Sequence, residues 1–448
     1  MSHSIPASHR LTVSVVTGII VERDAISNVC RQQIEEIENY AKSLQVGLDL
    51  KIYVHGYNVM DPRIVKMSHP MELACDAHFQ RSDLVIFHYG IFYPLFDAVV
   101  MTPRTARLVV NYYGITPPAA TPVDSQDVLH RSFRQASQLL NADCVLVNSR
   151  FIYDEALSMG VAEERLSVLP LPSAFTIPRQ IPMRTPNGPM RITYLGRIVP
   201  AKGICELMGA MRRFASDHTF TLTMMGAAQF SCPKLIDQIR TMMNQAPLMG
   251  RLELLLDQPG EVIRQRLSET DLFVMPSHHE GFCVPIIEAL SCGAGVISSN
   301  AGAIPETAGN LGLTFPVGNE NRLLNCLERY AAAWADGLYL TDQGRLTPSE
   351  WSAQAAQHLD TFRRERFSDN FIRLALTGVE TTPIDRSKLL GETRVRAYQQ
   401  FQTPVDSKPE NSSISRHLQR VLAVSSHRRR LPRATRSDMK QAGKEIRS

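Results

Sequence analysis

Two stretches of the chain alternate short apolar segments with longer amphipathic ones. The first runs from about Leu11 to Leu171, and its amphipathic segments include Ala25–Leu44 and Gln126–Leu140. The second runs from about Met190 to Ala333. This alternation is typical of parallel sheets covered by helices. The pattern therefore predicts two α/β halves.

The apolar segments predict six strands in each half. The strands of the first half are Leu11–Thr17, Asp49–Val54, Leu84–His88, Arg107–Asn111, Cys144–Val147 and Leu166–Leu169. The strands of the second half are Arg191–Leu195, Thr219–Met225, Leu252–Leu256, Leu272–Met275, Gly295–Ser298 and Leu313–Phe315. Each half is long enough to bury a core of its own.

Proline marks the boundary between the halves, because Pro170–Gly188 is rich in proline and has no periodicity. We expect a helical region at Pro348–Ala375. The predicted division is a first domain at 1–172, a linker at 173–189, a second domain at 190–336, a helical segment at 337–378 and a polar basic tail at 379–448. The helical segment is expected to cross back to the first domain.

Composition indicates an ordinary soluble protein, since 44% of the residues are hydrophobic and 21% are charged. No apolar run approaches the roughly 18–20 residues of a membrane span. The first residues do not resemble a signal peptide, so we expect a cytoplasmic protein. The eight cysteines include no Cys-x-x-Cys pair, which predicts reduced thiols and no zinc site.

The net charge of +4 is concentrated at the end of the chain. Eleven basic and four acidic residues in Thr403–Ser448 give that segment +7 and leave −3 for the rest. We expect the tail to be disordered from about residue 403 and solvated. An alternative is that it binds anionic lipid, which would place the protein peripherally at the inner membrane face. Basic residues also attract nucleic acid, but we expect no such partner.

The most informative motif is Met275-Pro-Ser-His-His-Glu-Gly-Phe-Cys-Val-Pro-Ile-Ile-Glu-Ala-Leu290. A strand ends at Met275, and a helix begins near Val284. Glu280 lies in the loop, and Glu288 lies on the first turns of the helix. Ligands of open α/β sheets bind beyond the carboxyl ends of the strands, near helix N-termini. Two carboxylates placed there can accept hydrogen bonds from the hydroxyls of one ligand.

This motif resembles the Glu-x7-Glu motif of glycosyltransferase family 4. The resemblance implies that Glu280 binds hydroxyls of a donor sugar and that Glu288 binds the ribose. It implies that backbone N–H groups of Gly281, Phe282 and Cys283 face the sugar or phosphate. The alternative is that Glu280 is an ordinary surface acid and that Glu288 is stabilised only by the positive end of the helix dipole.

A second motif, Tyr194-Leu-Gly-Arg-Ile-Val-Pro-Ala-Lys-Gly203, places two cations after a strand. It resembles the Gly-Arg-x-x-x-x-Lys-Gly pattern of the same family. The resemblance implies that Arg197 and Lys202 bind the donor diphosphate, and fixed cations suit such a group. Glu306 ends a segment similar to the family's Gly-x-x-Pro-Glu loop, and ligand contact and helix capping both remain open for it.

The first half resembles the family less closely. His88 ends a predicted strand where relatives have a histidine against the transferred sugar. Asp24 and Asn28 belong to a segment similar to a helix start near the acceptor. Tyr113 stands where relatives have histidine, so the match on the acceptor side is weaker. The resemblance covers about residues 11–375.

The family resemblance implies the GT-B fold, in which two Rossmann-like domains face a cleft. It implies a retaining glycosyltransferase that moves a hexose-type sugar from a nucleoside diphosphate sugar to a saccharide or lipid-linked saccharide, in polysaccharide or glycoconjugate assembly. His88, Glu280, Arg197 and Lys202 would be the catalytic residues. The resemblance implies that no cofactor or metal is required. The adjacent His278 and His279 do not predict a metal site, because the sequence places no third ligand beside them. The alternatives are a sugar-nucleotide epimerase of the same fold and a non-catalytic scaffold.

Overall fold

The computed structural model describes residues 10–22, 24–117 and 126–377. The tail at 379–448, with its expected disorder and membrane contact, lies outside these residues. The strands of the first half are β1 (Arg10–Ile20), β2 (Gly47–Tyr57), β3 (Ile64–Lys66), β4 (Leu84–Tyr89), β5 (Arg107–Tyr112), β6 (Cys144–Val147) and β7 (Leu166–Val168). Those of the second half are β8 (Met190–Leu195), β9 (Phe220–Gly226), β10 (Leu252–Leu256), β11 (Leu272–Met275), β12 (Gly295–Ser299) and β13 (Gly312–Phe315). A hairpin of β14 (Tyr339–Thr341) and β15 (Gly344–Leu346) follows.

Helices alternate with these strands. In the first half they are α1 (Ala25–Ser43), α2 (Pro70–Cys75), α3 (Ala77–Gln80), α4 (Gln126–Gln135) and α5 (Arg150–Ser158). In the second half they are α6 (Ile204–Phe214), α7 (Pro233–Met243), α8 (Gly260–Glu269), α9 (Val284–Ser291), α10 (Ile304–Ala308) and α11 (Glu320–Ala335). The described chain ends with α12 (Pro348–Leu359), α13 (Arg364–Phe371) and a π-helical turn at Ile372–Leu376.

The described strands form two parallel sheets and the antiparallel hairpin. The first sheet has the order β3-β2-β1-β4-β5-β6-β7, and the second has the order β10-β9-β8-β11-β12-β13. The central strands of both sheets read as nearly continuous apolar runs because helices cover both faces. All six residues of β4 and all four of β11 are buried.

The C-terminal helices contact the first domain. Arg364 of α13 forms an ion pair with Glu35 of α1, and Arg107 donates a hydrogen bond of 2.8 Å to the Leu374 carbonyl. Arg363 donates to the carbonyls of Ile177 and Pro178 in the connecting segment. These bonds tie the end of the described chain to residues that precede the second sheet.

Some local details differ from simple predictions. The predicted helical segment Gln126–Leu140 is α4 followed by a 3₁₀ helix at Ala136–Asn141. The predicted helical region Pro348–Ala375 contains α12 and α13, which are separated by a 3₁₀ turn at Asp360–Phe362 because Arg363 has an extended backbone. The three-residue strand β3 and the β14–β15 hairpin were missed, since such short segments give no periodic signal.

Candidate functional site

Each sheet has one place where the strand order reverses. In the first sheet β1 lies between β2 and β4, and in the second sheet β8 lies between β9 and β11. Helices that follow the two neighbouring strands leave on opposite faces of the sheet, so a crevice opens between them. His88 is the penultimate residue of β4, whereas Lys202 follows β8 and Glu280 follows β11. The predicted residues therefore lie at the two crevices.

The crevice of the second sheet brings Lys202 and Glu280 together. The ammonium of Lys202 forms an ion pair with the Glu280 carboxylate, and the two side chains are 13% and 14% exposed. Gly203 makes this approach feasible, because it has φ +65° and a Cβ atom there would lie 2.1 Å from the Pro276 carbonyl oxygen. The His278 N–H also donates to the Ala201 carbonyl at 2.8 Å.

Ser277 and Ala303 fix the position of Glu280. The Ser277 hydroxyl donates to a Glu280 carboxylate oxygen at 2.7 Å, and the Ala303 N–H donates to the Glu280 carbonyl at 2.9 Å. Ser277 was not predicted as a site residue. Its place three positions before the loop glutamate, directly after a strand, is the signal that could have found it.

Three charged residues of the predicted site act on the buried thiol of Cys283. Burial raises the pKa of that thiol well above its usual value, Glu280 and Glu288 raise it further, and Lys202 lowers it. Burial likewise raises the pKa of the Tyr194 phenol well above its usual value, with Glu280 adding to the rise and Arg197 opposing it. Glu280, Lys202 and Glu288 thus all act on the Cys283 thiol, and Glu280 and Arg197 both act on the Tyr194 phenol.

Glu288 differs from Glu280 because it has no cation beside it in the part of the chain described. Its residue is 7% exposed, on the second turn of α9. Burial raises the pKa of its carboxyl from the ordinary 4.5 to about 7. A buried carboxyl without a counter-charge is costly, and such perturbed groups cluster at functional sites.

Arg197 and the N-terminus of α9 have unused hydrogen-bond donors. The Arg197 side chain is exposed and makes no ion pair or hydrogen bond within the described ranges. The N–H groups of Gly281, Phe282 and Cys283 donate to no other described residue, and α9 has no side-chain cap. The Phe282 ring itself packs against Phe362, with ring centroids 5.8 Å apart. A helix N-terminus with free N–H groups is a ready site for an anion.

In the first domain, His88 and Tyr113 form a pair. Tyr113 follows β5, and its hydroxyl lies 2.7 Å from His88 Nδ1. Burial lowers the pKa of the His88 imidazole to about 3, so the ring is neutral at physiological pH. Tyr113 was predicted on the acceptor side, whereas the structure places its hydroxyl on the predicted sugar-binding histidine.

Asp24 and Asn28 have local partners. Asp24 caps α1, because its carboxylate accepts hydrogen bonds from the Ser27 N–H and hydroxyl at 2.8 and 2.7 Å. The exposed Asn28 accepts a bond of 2.9 Å from Arg31. Asp24 therefore begins the helix, and its charge also acts on the Tyr113 phenol.

The two domains meet at Gly281. A Cβ atom on Gly281 would lie 2.5 Å from the Tyr113 carbonyl oxygen, so only glycine allows this close approach. The Ser149 hydroxyl donates to the Gly281 carbonyl at 2.7 Å. The loop that carries Glu280 is thus packed against the residue that contacts His88.

Glu306 caps a helix of the other domain. Both of its carboxylate oxygens accept from the Arg150 N–H at the start of α5, at 3.0 and 2.8 Å. Of the two interpretations left open, the structure supports capping. Burial raises the pKa of the Glu306 carboxyl, and the bonds from the backbone N–H groups oppose that rise.

Glu306→Ala is expected to lower the free energy of unfolding by about 1 kcal/mol, since it removes a cap. Glu306→Gln should cost less, because the amide oxygen still accepts. Asp154→Asn, which alters an exposed acid of the same helix, is the control and should change little. Urea unfolding measures all three, and equal stability of the alanine variant and the wild type would contradict the capping role.

His278 and His279 have separate environments. His278 Nε2 lies 2.9 Å from a Glu206 carboxylate oxygen, and this hydrogen bond raises its pKa. Burial lowers the pKa of His279 to about 4. Among the described residues, no group of three or more His, Cys, Asp or Glu side chains is arranged to hold a metal ion.

None of the described helices has the length and apolar character that crossing a membrane requires.

Residues 189–332 match the family described as glycosyl transferases group 1. The match runs from the start of β8 through most of α11. The resemblance to glycosyltransferases that the motifs indicated is thereby confirmed. The matched segment includes Arg197, Lys202, Glu280 and Glu288.

Individual proteins and solved structures are also similar to this chain. The alpha-maltose-1-phosphate synthase of Mycobacterium tuberculosis is 29% identical over 199 residues, which are 40% of this chain and 49% of that protein. The chain thus spans about half the length of this curated relative. The sucrose-phosphate synthase of Thermosynechococcus elongatus has a TM-score of 0.62 at 18% identity and covers 81% of this chain and 98% of its own. HepE of Anabaena, solved in complex with UDP-glucose, has a TM-score of 0.58 at 16% identity, with 81% and 98% covered.

These structural likenesses establish the fold. Two Rossmann-like domains with parallel sheets and neighbours among GT-B glycosyltransferases confirm the predicted fold class.

Proposed function

We propose that this protein is a retaining glycosyltransferase that moves a hexose from a nucleoside diphosphate sugar to a hydroxyl of a saccharide or lipid-linked saccharide. The observation that carries the proposal is the pair of Lys202 and Glu280 at the crevice of the second sheet. The unpaired N–H groups of α9 and the buried Glu288 lie in the same loop and helix. Together they supply positive charge for a diphosphate and acceptors for two sets of hydroxyls.

Donor binding exchanges the partners of Lys202. Without a ligand, the Lys202 ammonium is neutralised by Glu280. The donor diphosphate takes the place of that carboxylate on Lys202, with Arg197 and the N–H groups of α9 as further donors. Glu280, which keeps its bond from Ser277, then accepts a hydrogen bond from a sugar hydroxyl. Glu288 accepts from the ribose hydroxyls.

Transfer breaks the bond between the anomeric carbon and the diphosphate oxygen, and both electrons pass to the diphosphate. The acceptor hydroxyl forms the new bond on the same face and gives its proton to the departing phosphate oxygen. Lys202 and Arg197 stabilise the negative charge that grows on the leaving group. Gly281 packs on Tyr113, and this contact between the domains would help to exclude water from the bound donor and favour transfer over hydrolysis.

The test begins with donor binding. UDP-glucose is the first probe, because the similar HepE was solved with it. A ligand at 100 times its dissociation constant stabilises the folded protein by about 2.7 kcal/mol, which a thermal-shift measurement detects. A screen of other nucleoside diphosphates and their sugars follows. Absence of any shift across the screen would favour a non-catalytic scaffold without donor binding.

The second step separates transfer from epimerisation. UDP release that requires an added saccharide supports a transferase, whereas release without an acceptor supports an epimerase. The anomeric configuration of the product, read by NMR, tests retention. We expect turnover to be unchanged by EDTA, because Lys202, Arg197 and the α9 N-terminus take the role of a metal. A loss of activity that Mg²⁺ restores would contradict this.

A further inference from the structure

His88 and Tyr113 form a hydrogen-bonded pair at the ends of two neighbouring strands. The strands β4 and β5 are neighbours, with His88 opposite Asn111. Tyr113, two positions further on, directs its hydroxyl to His88 Nδ1 at 2.7 Å. The two rings are nearly parallel, at an interplanar angle of 13°. The hydroxyl thus occupies one of the two hydrogen-bonding positions of the imidazole.

The protons of this pair can be assigned by counting. Burial lowers the pKa of His88 to about 3 and raises the pKa of the Tyr113 phenol well above its usual value. Both groups are therefore neutral, and the imidazole carries one proton. Within the described residues the Tyr113 hydroxyl has no second partner.

Two arrangements remain. If the Tyr113 hydroxyl donates to Nδ1, the ring proton is on Nε2, and Nε2–H is the single donor left over. If Nδ1–H donates to the Tyr113 oxygen, the phenolic hydrogen and the Nε2 lone pair both lack partners. An unpaired buried polar group costs about 1–3 kcal/mol, so the first arrangement is favoured.

His88 Nε2 lacks a partner of its own. It is buried and makes no hydrogen bond to any described residue. Buried side-chain nitrogens nearly always have a partner, so an exception at the end of a strand beside the crevice calls for a ligand atom as partner. An oxygen atom of a ligand is the partner that Nε2–H lacks.

We propose that Tyr113 is a positioning residue that holds His88 in the Nε2-protonated form, so that Nε2–H donates to an oxygen of the transferred sugar. This inference rests on the proposed function. Tyr113 also links the histidine to the donor loop, because its carbonyl oxygen lies against Gly281. One residue therefore sets both the proton position on His88 and the place where the donor loop meets the first domain.

Tyr113→Phe keeps the ring and removes the hydroxyl. We expect kcat for transfer to fall roughly three- to tenfold, as for the loss of one hydrogen bond, while the KM for the donor changes less than twofold. Tyr153→Phe is the matched control, because the Tyr153 hydroxyl bonds Glu163 at 3.3 Å. It should leave kcat unchanged. An unaltered kcat in Tyr113→Phe would overturn the proposal.

A double-mutant cycle tests whether Tyr113 acts through His88. If it does, His88→Ala/Tyr113→Phe has the same kcat as His88→Ala alone. Multiplying effects of the two changes would show that Tyr113 acts independently and would overturn the positioning role.

The proton position can be measured without any activity. Nitrogen NMR of the full chain labelled at its 13 histidines, with the His88 signal identified by its loss in His88→Ala, should show Nε2 protonated in the wild type. Tyr113→Phe should shift the ring toward a mixture of the two forms. A proton on Nδ1 in the wild type would refute the inference even where transfer is observed. Nε2 protonation in a protein that transfers no sugar would leave the assignment of the proton intact and reject the proposed function.

Discussion

Lys202→Ala is expected to lower kcat/KM for glycosyl transfer by a factor of about 10²–10³, the usual effect of removing one group that stabilises transition-state charge. Two losses act together. The donor diphosphate loses its cation, and the Glu280 carboxylate loses its partner. Release of the nucleoside diphosphate, measured with acceptor present, gives the rate.

Stability must be separated from catalysis in this variant. Both side chains of the pair are mostly buried, so Lys202→Ala leaves a carboxylate with Ser277 alone, which we expect to cost about 1–3 kcal/mol of unfolding free energy. Lys202→Ala/Glu280→Gln should recover most of that loss, because the stranded charge is gone. It should not recover transfer.

Lys51 offers a matched control. Lys51 lies on β2, and its ammonium is 3.6 Å from the Asp76 carboxylate, with 36% of the lysine side chain exposed. Lys51→Ala removes a lysine from an ion pair outside the cleft and should change stability by less than about 1 kcal/mol. It should leave transfer unaffected. Transfer by Lys202→Ala within threefold of the wild type would show that Lys202 does not bind the diphosphate.

Glu288→Gln is expected to weaken UDP binding roughly 10- to 100-fold, because hydrogen bonds to a charged acceptor contribute about 1.5–3 kcal/mol. The same change should stabilise the free protein at high pH. Burial raises the pKa of this carboxyl to about 7, so ionising Glu288 is less favourable in the folded than in the unfolded chain. Binding and stability should thus change in opposite directions.

The sign of the pH dependence follows from that pKa. Between the ordinary value of 4.5 and about 7, the folded protein holds a proton that the unfolded chain has lost. Wild-type stability contributed by this group therefore falls as the pH rises through this window. At pH 8 the difference from Glu288→Gln should be on the order of 1–3 kcal/mol, and below pH 4.5 it should vanish.

The affinity for the donor should show the opposite pH dependence. Acceptance of two ribose hydroxyls needs the ionised carboxylate, so wild-type affinity for UDP should rise as the pH increases through about 7. Glu288→Gln should lack this rise. Calorimetric titration with UDP at pH 6 and pH 8 measures both proteins, and parallel pH curves would show that Glu288 is not the titrating group.

Local patterns in the chain were enough for the fold class and for most strands. Strands such as Cys144–Val147, Leu252–Leu256 and Leu272–Met275 were predicted with the bounds that the structure has. Cys144–Val147 and Leu272–Met275 are fully buried apolar runs, and each begins directly after an aspartate. Leu252–Leu256 is a half-buried edge strand that is still marked by its four leucines. The two motifs after β8 and β11 were equally visible, because each lies in one short segment.

Pairings between distant segments were decided by the tertiary structure alone. Lys202 and Glu280 are 78 positions apart and meet only because β8 and β11 are neighbours in the sheet. Tyr113 looked like a departure from the family on the acceptor side, whereas its hydroxyl contacts His88. Glu306 caps a helix of the first domain, which no pattern around residue 306 could show. Hydrophobic periodicity records which side of an element is buried, and it contains no information on which other element covers that side.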